Sequence, residues 1–502
     1  MKVPVRLPEG GSAMSFCSLG FLIFFPVVFL LYYSIPKKYQ WSLLLLSSYY
    51  FYMCWKPEFI LLIIASTLID YFSARNIEAH PPFKKIWLCV SICSNLSLLF
   101  FFKYYGFFSD NVNAVLRFFL IPASLPALNI ILPIGISFYT FQTMSYTIEV
   151  YRGNIPAEKH LGYFALFVTY FPQLVAGPIE TPQALLPQLR EEHTFSYESA
   201  VYGTKLMAWG FFKKTIVADT AAFFVDAVFN NVSRELNGWT VMIASFLFLI
   251  QLYCDFSGYS DIARGCSKIM GVDLMVNFKS PVFFSKSIKE YWQRHHISLT
   301  KWFTSYVYIP LGGSRKGTLR KYLNNTVTFL LSGLWHGADW TFVVWGGLHS
   351  VYLNVGDFLR KKLRRDSILV LPSQKIQNAL NCGITCALAC ISFIFFRANT
   401  ISDALTLIYD MARDCTHLFV SLPGFFALHK LGFPQADKAL FVNMFLSLAI
   451  LFLFDYFNER EDVIQRISGF SPALRYALYL GILTVILCMR PASNVSFIYF
   501  QF

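Results

Sequence analysis

The sequence predicts an all-α fold, a polytopic transmembrane helical bundle with interfacial or re-entrant helices. Three observations carry that expectation. Hydrophobic residues fill 56% of 502 positions and charged residues only 14%, where a soluble domain needs roughly a quarter of its residues charged. The deficit runs along the whole chain, so one anchor on a soluble domain does not account for it. Apolar runs recur from end to end, without the two-residue alternation that membrane strands require.

The runs are Leu19–Tyr33, Trp41–Cys54, Phe59–Phe72, Ile86–Phe102, Trp239–Cys254, Cys386–Phe396, Phe441–Phe454 and Tyr476–Met489. A helix needs about 20 residues to cross the hydrocarbon core, and several runs reach that only with their polar flanks. Short runs suit re-entrant or buried positions, so about ten or more membrane helices are expected, not all spanning fully. Residues 1–13 form a polar extension containing Lys2, Pro4, Arg6 and Pro8, and Met14 offers a second translation start. The first apolar run continues to Pro36 without a small-residue cleavage site, which predicts an uncleaved first helix. Residues 14–502 then read as one membrane domain. No low-complexity linker and no soluble insertion large enough for a further domain interrupts it.

Within this domain three zones differ. Residues 14 to about 130 are helix after helix with little polar content, and the chain beyond about 376 is similar. From about 132 to 350 the runs are broken by Gly, Pro, acids, Arg and His. Polar groups at membrane depth are costly and mark function, so the chemistry is expected in this middle zone. No repeat relates the two halves, which counts against a transporter built from repeats.

The formal net charge of +13 collects in Lys213-Lys214, Lys279 to Lys321 and Arg360 to Arg365. Read as short connecting segments, these share the cytoplasmic side and meet anionic headgroups. No nucleic-acid motif accompanies them. Of the 11 cysteines, Cys382, Cys386 and Cys390 share a helix face at spacing four. No His or carboxylate joins them, so they read as small apolar residues, with no disulfide or bound metal expected.

Three clusters carry the chemistry. The first is Phe329-Leu330-Leu331-Ser332-Gly333-Leu334-Trp335-His336-Gly337-Ala338-Asp339-Trp340. Two glycines bracket Leu-Trp-His, allowing close backbone approach or a helix break. Apolar surroundings keep an imidazole available as a base near neutral pH. Such a base could take a proton from a hydroxyl attacking a thioester, worth roughly 10²–10⁴-fold in rate. On the residues alone, a histidine hydrogen-bonded for helix packing is an open alternative.

The second cluster runs from Lys289-Glu290-Tyr291-Trp292-Gln293-Arg294-His295-His296 through Trp302 to Tyr308-Ile309-Pro310-Leu311-Gly312-Gly313. It is basic and amphipathic, as interfacial segments are. Arg294 and its neighbours suit the phosphates of an anionic carrier such as coenzyme A; an interfacial helix with no ligand is the competing reading. Adjacent positions do not share a helix face, so only one of His295 and His296 is expected to point inward. The third cluster is Gln251-Leu252-Tyr253-Cys254-Asp255-Phe256-Ser257-Gly258-Tyr259-Ser260-Asp261-Ile262-Ala263-Arg264. Here Asp261 and Arg264 can pair at spacing three. For Asp255, ion pairing with a loop Lys or Arg and a part in catalysis both stay open, as they do for Glu149, Arg152 and Glu180.

These clusters, with Leu132-Pro133-Ile134-Gly135-Ile136-Ser137-Phe138-Tyr139-Thr140-Phe141-Gln142 and Pro172-Gln173-Leu174-Val175-Ala176-Gly177-Pro178-Ile179, form an ordered set across the middle zone. In that set the chain resembles the membrane-bound O-acyltransferases, specifically the bacterial branch that O-acetylates alginate. Phe395-Phe396-Arg397-Ala398 and the start at Met14 are similar too. The resemblance implies that His336 is the family's near-invariant histidine and His296 its second. It implies a bundle enclosing a tunnel open to a cytoplasmic acyl-coenzyme A. One departure is His295, where relatives often carry an aromatic residue.

The expectation is therefore an acetyltransferase of the bacterial cytoplasmic (inner) membrane. His336 and His296 are its catalytic candidates, and Asp255, Arg294 and Trp335 its substrate-binding candidates. Acetyl-CoA is the expected donor, with no permanently bound cofactor. A periplasmic acetyltransferase or the polysaccharide itself is the expected acceptor, and lipid the surrounding partner. D-alanyl transfer to teichoic acid, and a non-enzymatic transporter or scaffold, are the rival readings.

Overall fold

The computed structural model describes residues 14–128, 130–232, 236–363, 373–415, 433, 438–489 and 497–498. The polar extension over 1–13 and the basic pair Arg364-Arg365 lie outside the described residues. Among the described residues every regular element is helical. Among the described residues five helices are long and apolar enough to cross a membrane: Pro57–Ala79, Pro81–Phe118, Gly238–Ile269, Gln374–Arg397 and Lys438–Asn458. Leu19–Ser34 and Pro472–Cys488 are shorter apolar helices. The five are the full-length apolar helices, whereas the expected ten or more include segments that do not span fully. The apolar runs Leu19–Tyr33, Trp41–Cys54 and Tyr476–Met489 fall on helices of 16, 14 and 17 residues, short of the length that crosses the hydrocarbon core.

The chain forms two compact units, one chiefly Val3–Met207 with Tyr259–Met275, the other chiefly Ala208–Gly258 with Val276–Gln501. In the amino-terminal unit, Leu19–Ser34 starts at Ser18, whose side chain accepts the Phe21 N–H at 3.2 Å. The helix buries Phe21, Phe25, Val28 and Tyr32 but exposes Leu22, Ile23, Val27 and Leu30. Apolar surface on both sides of one helix suits a protein core on one side and lipid on the other.

A buried polar knot ties the Ile60–Ala79, Lys84–Leu99 and Ile136–Arg152 helices together. Ser91 Oγ donates to Asp70 Oδ1 at 2.5 Å, and Asn95 Nδ2 donates to Asp70 Oδ2 at 2.8 Å. Asn95 Oδ1 in turn accepts from Ser66 and Thr143, each at 3.2 Å. Where no water is at hand, polar side chains must find partners on neighbouring helices. The pair expected at spacing three forms in this unit too, with Arg264 Nη1 3.4 Å from Asp261 Oδ1.

In the second unit, Thr318–His336 and Trp340–Leu363 run antiparallel across a three-residue turn. A Cβ on Gly333 would stand 2.3 Å from the Phe342 carbonyl oxygen, and one on Gly346 2.2 Å from that of Phe329. These glycines therefore set the helix separation. Toward the far end of the pair the contacts turn polar: Thr326 to Ser350 at 2.7 Å and Tyr322 to Asp357 at 3.1 Å.

One sequence expectation is corrected here. Lys213-Lys214 is not a surface loop: both residues are buried, within the π-helical segment Phe212–Ala218. Lys214 Nζ lies 2.6 Å from Asp219 Oδ1 and 2.7 Å from Asp255 Oδ1. Lys213 donates to Ser257 Oγ at 2.9 Å. The Asp219 and Asp255 carboxylates offset the burial of the Lys214 ammonium, and Asp255 comes from a separate helix that a local charge count does not see. By contrast Lys279, Lys286, Lys289, Lys301 and Arg360 to Lys362 are exposed.

Candidate active site

The expectation for the second cluster is also corrected: His295 and His296 are both buried. The one-face argument assumed a continuous helix, but the helix breaks between the two residues. Ile288–Arg294 ends at His295 in an extended conformation, and Ile297–Phe303 begins after His296. His296 itself has φ 47° and ψ 53°, the left-handed region that a residue bearing a Cβ enters only when its surroundings hold it there.

Those surroundings are visible. The Asn277 carbonyl accepts the Ile297 N–H at 2.9 Å. Asn277 Oδ1 accepts the Ser298 N–H at 3.1 Å and the Ser298 hydroxyl at 2.9 Å. It also lies 3.3 Å from His296 Nδ1. Because a backbone N–H can only donate, the amide atom facing it is the oxygen. His296 Nδ1 must then carry the proton it shares with that oxygen, which leaves Nε2 as the basic nitrogen of the neutral ring. His296 lies outside the five candidate spans, and its imidazole is held well below the ordinary histidine range. The causes are desolvation first, then the nearby His336 and His295.

His336 is the last residue of Thr318–His336, where Gly337 turns the backbone extended. Its ring sits in an aromatic enclosure: Trp335 and Trp345 at 5.0 Å, Phe396 at 5.3 Å and His296 at 6.3 Å between centroids. Gly337 makes this possible, since a Cβ there would fall 2.0 Å from the Phe342 ring. The Trp345 indole N–H is fully buried and has no hydrogen-bond acceptor among the described residues. Phe256 closes the side of His296, edge-on at 4.6 Å, and Phe497 packs on Phe256 at 6.1 Å.

A third site histidine, His349, is not singled out by the sequence clusters. It lies one turn after Trp345 and is fully buried. The Trp292 indole N–H donates to its Nδ1 at 3.3 Å, so Nε2 carries the proton, which points at Ser392 Oγ 3.0 Å away. The Ser392 hydroxyl donates its own hydrogen bond to the Ala389 carbonyl at 2.8 Å. With both nitrogens engaged, His349 braces the wall beside Trp345. A histidine spaced i, i+4 from a tryptophan was the available signal, and it is a weak one.

His295 fills an aromatic niche, stacked on Tyr291 at 5.0 Å and edge-on to Phe278 at 5.0 Å. Burial pushes its imidazole down to about 3. The structure thus brings His296, His336 and Trp335 together, with Trp335 6.0 Å from His296. Asp255 is engaged by Lys214 and by the Ile498 N–H at 2.6 Å. Arg294 is engaged by Glu290 at 2.8 Å and Glu459 at 3.0 Å.

The His296 and His336 imidazoles face each other within an aromatic enclosure, an arrangement that can move a proton. Residues 156–394 match the model of the membrane-bound O-acyltransferase family. The chain is 35% identical over 511 residues to the protein named Probable alginate O-acetylase AlgI from Pseudomonas putida, covering 97% of this chain and 100% of that one. It is 33% identical to the Peptidoglycan O-acetyltransferase of Helicobacter pylori, over 77% of each chain. It is 28% identical to a Teichoic acid D-alanyltransferase of Streptococcus thermophilus, over 52% of this chain and 68% of that one.

Proposed function

Because this chain belongs to the membrane-bound O-acyltransferase family, we propose that it moves acetyl groups from cytoplasmic acetyl-CoA across the bacterial inner membrane for O-acetylation of a cell-surface polysaccharide. It is a multi-pass membrane O-acyltransferase. The observation that carries the finer reading is the pairing of His336 with a His296 whose Nε2 is a fixed acceptor.

In this reading His336 takes the proton of the acceptor hydroxyl as its oxygen attacks the thioester carbonyl carbon. The tetrahedral adduct collapses with cleavage of the C–S bond, and the thiolate recovers the proton from His336. The Trp345 N–H supplies a donor for the carbonyl oxygen as charge develops on it. His296 Nε2 accepts a hydrogen bond from an amide N–H of the donor or a second hydroxyl of the acceptor, holding it in line. The aromatic walls exclude water and so protect the thioester from hydrolysis.

The acyl group is assigned as acetyl because the match to O-acetylating relatives runs most of the chain, and that to the D-alanylating relative about half. The direct acceptor is either the polysaccharide or a periplasmic acetyltransferase that completes the transfer. Substituting His336→Ala should abolish surface O-acetylation while the purified protein elutes as the wild type does. Acetylation retained in that variant overturns the mechanism. Acetyl-CoA consumption that requires an acceptor separates an enzyme from a pore.

A further inference from the structure

We propose that a cleft in the amino-terminal unit, between residues 37–41 and 190–193, binds a phospholipid whose headgroup carries both a phosphate and a primary ammonium. The cleft is about 140 Å³, against the ~10–15 Å³ that a single water requires. It is lined on one side by Lys37 and Lys38 and on the other by Glu191 and Glu192. All four side chains are exposed, and among the described residues none takes part in an ion pair. The Arg190 guanidinium, which also lines the cleft, is committed to Glu158. Lys38 Nζ stands 4.9 Å from the Tyr39 ring centroid, and cations and anions face one cavity without an ion pair for either among the described residues.

The floor is built rather than incidental. Buried Gln40 donates through Nε2 to the Tyr32 carbonyl at 3.2 Å and the His193 carbonyl at 3.1 Å, while its Oε1 accepts the His193 N–H at 3.1 Å. His193 Nε2 meets the Gln188 carbonyl at 2.8 Å. Trp41 and Tyr163 form the wall, with ring centroids 5.3 Å apart. Such rings favour headgroup depth.

The depth of the cleft comes from the helices that flank it. Leu19–Ser34 ends before Ile35-Pro36-Lys37, and Gln40–Met53 starts after Lys38-Tyr39. Near the cleft the first exposes Leu30 and Leu31, at 62% and 46%, and the second Leu46 at 66%. Apolar side chains open to the outside begin where the charged cavity ends, which is the profile of a phospholipid. The phosphate meets the lysines, the ammonium the glutamates and the acyl chains the leucines. A primary ammonium donates N–H bonds to carboxylates, whereas a quaternary one has no N–H to give.

The test uses the full chain in detergent, exchanged with an equal mixture of phosphatidylethanolamine, phosphatidylcholine and phosphatidylglycerol and read by native mass spectrometry. The wild type should retain phosphatidylethanolamine severalfold over the other two. Glu191→Gln with Glu192→Gln should lower that retention to the phosphatidylcholine level. Lys37→Ala with Lys38→Ala should lower it further, and Lys37→Arg with Lys38→Arg should restore it. Equal retention of the three lipids, a preference for phosphatidylglycerol, or a preference unchanged in these variants overturns the proposal. Displacement by an equal concentration of free phosphoethanolamine overturns the lipid assignment in favour of a soluble ligand. These residues lie outside the histidine site, so the outcome is independent of the acyl-transfer reading.

Discussion

The imidazole of His296 stands 6.3 Å from that of His336, with 62° between the ring planes. At this separation the rings do not bond each other directly, yet a small reacting group near one lies within reach of both. Trp335 touches both rings, at 6.0 Å and 5.0 Å. Trp335 is thus a wall common to both imidazoles.

Asn277 fixes which nitrogen of His296 is basic. Removing it in Asn277→Ala leaves a buried N–H unsatisfied, a cost of about 1–3 kcal/mol. Acyl transfer should fall roughly tenfold or more, since each 1.4 kcal/mol is a factor of ten. Asn277→Asp keeps an acceptor but adds a negative charge, which favours the protonated ring. Its pH–rate profile should move its acidic limb upward. An unmoved profile shows that His296 does not titrate in the reaction.

The Trp345 N–H has no acceptor among the described residues. If it serves the carbonyl oxygen in the transition state, Trp345→Phe should lower kcat by about 10²–10³ and leave KM nearly unchanged. A loss confined to KM, or a loss matched by reduced thermal stability alone, assigns the tryptophan to packing.

His295 and His296 are buried as neutral rings, with pKa values below the ordinary range. Unfolding raises each toward its unperturbed value near 6.5. The unfolded chain then binds protons that the folded one refuses. Stability is fully present above about pH 6.5 and falls below it, by about 1.4 kcal/mol per pH unit for each such group. Thermal unfolding in detergent between neutral and mildly acidic pH measures this. His295→Phe suits the aromatic niche between Tyr291 and Phe278; it should keep activity and flatten the pH dependence.

Gly346→Ala places a Cβ 2.2 Å from the Phe329 carbonyl oxygen. The two helices that carry His336, Trp345 and His349 must then move apart, at a cost of about 1–3 kcal/mol for overpacking. Both thermal stability and acyl transfer should drop, whereas Gly347→Ala, whose Cβ meets only a Leu330 methyl at 3.8 Å, should be tolerated. Equal behaviour of the two variants contradicts the close-approach account.

By itself the sequence determined the helical membrane class and the family, and it singled out the histidine between two glycines. It also determined the Asp261–Arg264 pair, because its partners are three residues apart. These features are local or additive: hydropathy sums along a run, and a helix places i and i+3 side by side whatever surrounds it. Only the tertiary structure decided that His295 and His296 are both buried, through a helix break held by Asn277 from 19 residues away. It alone showed that Lys214 is an internal cation between Asp219 and Asp255, and that His349 braces the wall through Ser392, 43 residues on. A buried polar group's state depends on which partner the fold brings to it, and residue spacing does not encode that partner.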